Sequence, residues 1–118
     1  ANGDYHLAVE AGKTGYVMRC LYEEEWKGYR PSVDVLFRSA IPIASKSIAM
    51  ILSGMGQDGA DALEELHREG AYTMAQSEED AIVFGMPRVA IQKQAADFIG
   101  TGHEIHNYLL EIIQRPRT

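Results

Sequence analysis

The chain has 118 residues, 46% hydrophobic and 24% charged, the balance of one folded domain rather than a disordered segment. Eleven Lys and Arg against 17 Asp and Glu leave a net charge of −6. That argues against nucleic acid as a general partner, because such binding depends on cationic neutralisation of phosphates. Cys20 is the sole cysteine, which excludes an internal disulfide and a cysteine zinc site and makes a reducing, cytoplasmic setting the expectation. No apolar run approaches the ~18–20 residues of a membrane span, so membrane insertion is not expected.

Ala1-Asn2-Gly3-Asp4 is turn chemistry without an initiating Met, which suggests that a segment upstream has been cut away. His6-Leu7-Ala8-Val9 and Tyr16 to Tyr22 read as the two strands of a hairpin joined through Gly12 and Gly15. Glu23 to Arg30 is charged and aromatic and reads as an exposed loop, with Trp26 and Tyr29 available to cover a core edge or a partner. Pro31 opens a helix with Ser32 and Asp34 in its first turn and Val33, Leu36, Phe37 and Ala40 on one face; Pro42 ends or breaks it. Ile48 to Leu52 is a continuous apolar run, as in a parallel strand buried on both faces. Ala60 to Glu69 reads as a helix burying Ala62, Leu63 and Leu66 and stopped by Gly70. Ala71 to Ala75 is the next strand, and Ile82-Val83-Phe84 a short apolar segment. Pro87 then introduces a helix over 88–94, Asp97-Phe98-Ile99 forms a last strand, and an amphipathic helix over 103–115 turns Ile105, Leu109, Ile112 and Ile113 inward. This alternation predicts an α/β domain: an open, mostly parallel sheet with flanking helices, preceded by a β-hairpin.

In such sheets the functional crevice lies at the carboxyl ends of the strands. Gly54-Met55-Gly56-Gln57-Asp58-Gly59 falls there, between a buried strand and a helix start. Three glycines in six residues permit tight turns and close backbone approach. The spacing also fits the Gly-x-Gly-x-x-Gly dinucleotide fingerprint, with Glu78, Glu79 and Asp80 about 20 residues beyond it as candidate ribose acids. Against that reading, Asp58 would set a negative charge beside the pyrophosphate. Asp58 can equally cap the helix it precedes, with Asp61 three residues on; on these residues alone, capping is the stronger reading, and one carboxylate oxygen can cap while the other faces the crevice.

Several stretches resemble the chemotaxis methylesterase (CheB) family, the protein-glutamate methylesterases: Pro31 to Phe37, Ile51 to Ala60, Gly70 to Gln76, Val83-Phe84-Gly85-Met86-Pro87-Arg88, and Gly3-Asp4-Tyr5-His6-Leu7, where Leu7 stands in for Met. The resemblance runs in order along residues 1–118 and implies part of a doubly wound methylesterase domain. It implies hydrolysis of glutamate methyl esters, and possible glutamine deamidation, on chemoreceptors or other methyl-esterified proteins. A triad of Ser, His and Asp would do this work without a cofactor or metal. By the resemblance Asp58 is the triad acid, Met55 supplies a backbone oxyanion donor, and Gly54, Gly56, Gly59, Gly85, Met86 and Pro87 shape the binding loop. His6 is expected to be structural. Family members usually also carry a receiver domain, which nothing in this chain shows.

The family's serine and histidine segments are missing. None of Ser32, Ser39, Ser45, Ser47, Ser53 and Ser77 stands in a glycine-flanked nucleophile turn. His67 reads as solvated, and His103 with His106 as surface residues rather than a metal pair. The expectation is a C-terminal portion of the domain, inactive alone, with an apolar sheet edge that favours self-association. The alternatives are a non-catalytic interaction module of the same fold, or a nucleotide-binding half-domain using Gly54, Gly56 and Gly59. An Asp58 buried in local amide contacts and turned from the groove would collapse the hydrolase reading.

Overall fold

The computed structural model describes residues 3, 5–22, 24, 26, 30–54 and 56–114. Much of the expected 23–30 loop, Tyr29 included, and the oxyanion candidate Met55 lie outside the described residues.

β1 (His6–Ala11) and β2 (Tyr16–Leu21) form the antiparallel hairpin, in register from His6 opposite Leu21 to Ala11 opposite Tyr16. Its turn closes through the Gly12 amide on the Gly15 carbonyl at 2.6 Å, with Gly15 at a φ of +151°. β1 alternates between buried and partly exposed positions before fraying outward, as a half-covered strand should, and lies on α1 (Val33–Ser39). The Val9 amide donates to the Ser39 hydroxyl at 2.9 Å, tying strand to helix. β2 has no such cover, and Tyr16, Val17 and Met18 stand exposed.

Ser32 is the N-cap of α1 rather than part of its first turn, and Pro42 sits inside a 3-10 helix (Ile41–Lys46) that follows. Then come β3 (Ile48–Ile51), α2 (Ala60–Arg68), β4 (Tyr72–Gln76), α3 (Met86–Gln92), β5 (Phe98–Gly100) and α4 (Gly102–Gln114). The strands pair in parallel in the order β3-β4-β5. The expected architecture is therefore present: a parallel sheet with flanking helices and an antiparallel hairpin before it.

The core lies where α1 and α2 meet β3. Leu63 and Leu66 are buried among Phe37, Ile51 and several alanines. Small alanines at Ala60, Ala62, Ala71 and Ala90 let helices approach the sheet closely. α2 ends with Gly70 at a φ of +103°; the Ala71 amide reaches back to the Leu66 carbonyl and the Gly70 amide to that of His67. This paired closure needs a left-handed residue, which glycine adopts without strain. α3 ends the same way on Gln94 at a φ of +57°.

Three expectations need correction. β3 is not buried on both faces: it is an edge among the described strands, Ile48 is exposed, and Leu52 lies exposed beyond its end. On α4, Ile105 is buried and Leu109 and Ile112 are partly so, but Ile113 is 66% exposed. Tyr108 takes its place by stacking on Phe98 at 4.8 Å between ring centroids. His67 is not simply solvated: its Nδ1 lies 3.3 Å from both Asp97 Oδ2 and Thr73 Oγ1. Asp97 Oδ2 also accepts from the Thr73 amide at 2.9 Å, so this group ties the end of α2 to the start of β4 and the approach to β5.

Candidate functional site

The glycine-rich loop leaves the carboxyl end of β3, as the order of elements requires. Its first glycine is clamped. The Gly54 amide donates to the Val83 carbonyl at 2.9 Å, and the Gly54 carbonyl accepts from the amides of Gly85 and Met86 at 2.9 and 3.0 Å. Gly54 and Phe84 thus form a parallel bridge, and a Cβ on Gly54 would overlap the Met86 methyl. The short apolar segment 82–84 is held against the loop by this clamp, through Val83 and Phe84.

Beside the clamp lies an open groove of about 540 Å³, lined by Gly56, Gln57, Phe84, Gly85, Arg88 and their neighbours. Of the glycines and Gly-Met-Pro residues singled out by the sequence, Gly56 and Gly85 line this groove. Gly54 and Met86 form the clamp, and Pro87 is buried at the start of α3. Gly59, at a φ of +93°, is the N-cap of α2 and packs on α1; a Cβ there would come within 2.9 Å of the Val33 Cβ.

Asp58 is 7% exposed. It does cap a helix, but not the one it precedes. Oδ1 accepts from the Ser32 hydroxyl at 2.9 Å and the Asp34 amide at 3.2 Å, and Oδ2 accepts from the Val33 amide at 2.7 Å. Asp58 therefore closes the start of α1, from 24 to 26 residues away in sequence.

Asp34, 3% exposed, does the reciprocal work. Its Oδ1 accepts from the Gly59 and Ala62 amides at 3.1 and 3.3 Å, at the start of α2, and its Oδ2 accepts from the Trp26 indole at 3.3 Å. Each helix start presents orphan N–H groups and a partial positive charge, and each is met here by the other segment's carboxylate.

This exchange removes the dinucleotide reading. A pyrophosphate would need the free N–H groups at the start of α2. Asp34 already occupies two of them, with a negative charge that would repel the ligand. Asp80, a candidate ribose acid, instead accepts from the Gly102 amide and from Gln76 at the start of α4, both at 2.6 Å.

Behind Ser32 stands His6, 1% exposed. The Ser32 amide donates to His6 Nδ1 at 3.1 Å, so the ring carries its proton on Nε2, which donates to the Glu24 carbonyl at 2.9 Å. The structural role expected for His6 is what the geometry shows. Ser32, Asp34 and the groove residue Arg88 were not singled out as site residues. Ser32 and Asp34 carry only a local N-cap signal, and a partner more than 20 residues away leaves no mark in a sequence window. Among the described residues no cluster of His, Cys, Asp and Glu could hold a metal.

Asp58 is buried and does not line the groove, and its contacts are amide and hydroxyl contacts, which counts against a catalytic acid; none of them is local, and among the described residues Oδ2 accepts one hydrogen bond. A recess of about 190 Å³ lined by Leu7, Pro31, Ser32, Val33 and Leu36 opens beside two of its donors.

A parallel α/β sheet with a glycine-aspartate loop at its carboxyl edge is a scaffold shared by many functions, and comparison specifies the family. The family model for CheB methylesterase matches residues 1–109, and the chain belongs to that family. It is 45% identical over 98 residues to a protein-glutamate methylesterase/protein-glutamine glutaminase of Halalkalibacterium halodurans, covering 82% of this chain and 28% of that protein. A protein of the same description from Borreliella burgdorferi is 45% identical over 111 residues, covering 93% and 29%. The crystal structure of the Thermotoga maritima CheB methylesterase catalytic domain superposes with a TM-score of 0.89 at 33% identity, covering 95% of this chain and 60% of that one. The chain thus spans less than a third of those curated relatives.

Proposed function

We propose that this chain is the acid-bearing, C-terminal portion of a serine-type protein-glutamate methylesterase domain. The supporting observation is that the family match runs through the loop at the carboxyl end of β3, where Asp58 is the buried acid. In the complete site a serine attacks the ester carbonyl, and a histidine takes the serine proton and returns it to the departing methanol. Water then hydrolyses the acyl-enzyme to free glutamate. Asp58 accepts the Nδ1–H of that histidine on Oδ2, which among the described residues accepts only from the Val33 amide, fixing the tautomer and stabilising imidazolium. Met55 donates its backbone N–H to the tetrahedral oxyanion. The groove formed by Gly56, Gly85 and their neighbours receives the esterified side chain, Gly54 and Met86 clamp one side of it, Pro87 starts α3 behind it, and Gly59 packs the start of α2 on α1.

The substrate is a methyl-esterified protein, a methylated chemoreceptor by the family's activity, and glutamine amides are the second substrate class that the relatives' names suggest. The relatives' greater length leaves room for a receiver domain. A cytoplasmic setting suits the lone cysteine, Cys20, and among the described residues no helix is long and apolar enough to cross a membrane.

The test is methanol release from a receptor methyl ester, followed by mass spectrometry. The 118-residue chain alone should release none. In the full-length protein containing it, Asp58→Asn should cut kcat by about three to four orders of magnitude. Full activity in that variant would discard the proposed role. A second reading, a non-catalytic interaction module, is favoured by one observation: Asp58 has an architectural use of its own. It wins if the coding sequence upstream lacks the serine and histidine.

A further inference from the structure

We propose that Ser32 is a positioning residue for the triad acid, its hydroxyl setting the orientation of the Asp58 carboxylate. This rests on the catalytic reading of Asp58. Among the described residues three donors reach that carboxylate, and two are backbone amides that a capping acid would meet at any helix start. The third is a side chain. The Ser32 hydroxyl has one proton, and at 2.9 Å that proton goes to Asp58 Oδ1, a bond to an anion that is stronger than a neutral one.

As a cap for its own helix, Ser32 does little: Val35 donates to its oxygen at 3.4 Å. Its position is nevertheless tightly defined. The residue is 3% exposed, and its amide is held by His6, which is held in turn by the Glu24 carbonyl. A continuous path therefore runs from the Glu24 backbone through His6 and Ser32 to the acid. Fixing one oxygen of a carboxylate by a hydroxyl fixes the direction of the other, and that direction decides whether an arriving imidazole N–H finds a lone pair. Ser32 itself touches no substrate in this scheme.

The experiment uses the full-length protein containing this chain and a receptor methyl ester, with rates expressed per serine titrated by a fluorophosphonate so that only folded enzyme is counted. Ser32→Gly removes the hydroxyl with a residue that helix starts tolerate. It should lower kcat about tenfold with KM within about twofold of the parent. Ser32→Thr keeps the hydroxyl and should retain kcat within about twofold. If Ser32→Gly fails to fold, Ser32→Cys, of similar size but a weaker donor, should lower kcat more than twofold, with Ser32→Thr within about twofold of the parent. Parent-like kcat in Ser32→Gly, or in Ser32→Cys, together with a crippled Asp58→Asn enzyme would overturn the positioning role and leave the triad acid standing. An unimpaired Asp58→Asn enzyme would remove both. Equal losses in the Thr and Gly variants would reduce Ser32 to a packing residue.

Discussion

Asp58 precedes α2 yet closes α1, and Asp34 belongs to α1 yet closes α2. Two buried carboxylates side by side repel, and what offsets this is that each sits at the positive end of a helix and accepts several hydrogen bonds. α1 has seven residues, too few to persist by itself, so its first turn depends on outside acceptors. Asp34→Ala would leave the Gly59 and Ala62 amides and the Trp26 indole without this acceptor. The expected loss is about 2–3 kcal/mol, lessened by the relief of repulsion at Asp58 and read from the urea midpoint. A loss under about 0.5 kcal/mol would show that the exchanged caps carry little of the stability.

Helix ends differ in how well they are made. α3 closes on Gln94 in a left-handed conformation that costs a side chain roughly 1 kcal/mol, and Gln94→Gly should raise stability by about that amount in the same urea experiment. α4 begins better: Thr101 and Glu104 cap each other's amides, and Asp80 takes the Gly102 amide. That amide, and then Gln76, hold the Asp80 carboxyl below its ordinary 3.8. A depressed value in the folded state means the contribution is present above the unfolded pKa and lost as pH falls through the folded one. Thermal midpoints of the parent should therefore exceed those of Asp80→Asn near neutrality, and the gap should close in acid below the ordinary carboxylate range.

The same elements show how far local pattern reaches. Strands and helices came in the expected order because Gly70, Pro87 and the apolar runs are local signals. α4 buries Ile105, Tyr108, Leu109 and Ile112 to differing degrees, a stripe at spacings of three, four and seven, and Ile113 falls off its margin. Asp58 could be named from the motif, whereas its partners on α1 depend on a tertiary approach that no window of sequence contains.

At the scale of the molecule, β3 and β5 are both edges among the described strands, and β3 is bordered by apolar surface. Ile48 and Leu52 are exposed, and a groove of about 340 Å³ runs from Val9 and Met18 on the hairpin to Ile48 and Met50. For the isolated chain we propose pairing of two copies through this edge. Light scattering at micromolar concentration should give twice 13.1 kDa, and Ile48→Lys should return the single-chain mass. A parent already running at the single-chain mass would refute pairing.

The exchanged caps also bear on descent. Whatever chemistry a lineage keeps or loses at this loop, replacing the aspartate between Gln57 and Gly59 would unseat the neighbouring helix. Inactive members of the family should therefore go on carrying this acid, and its presence testifies first to architecture.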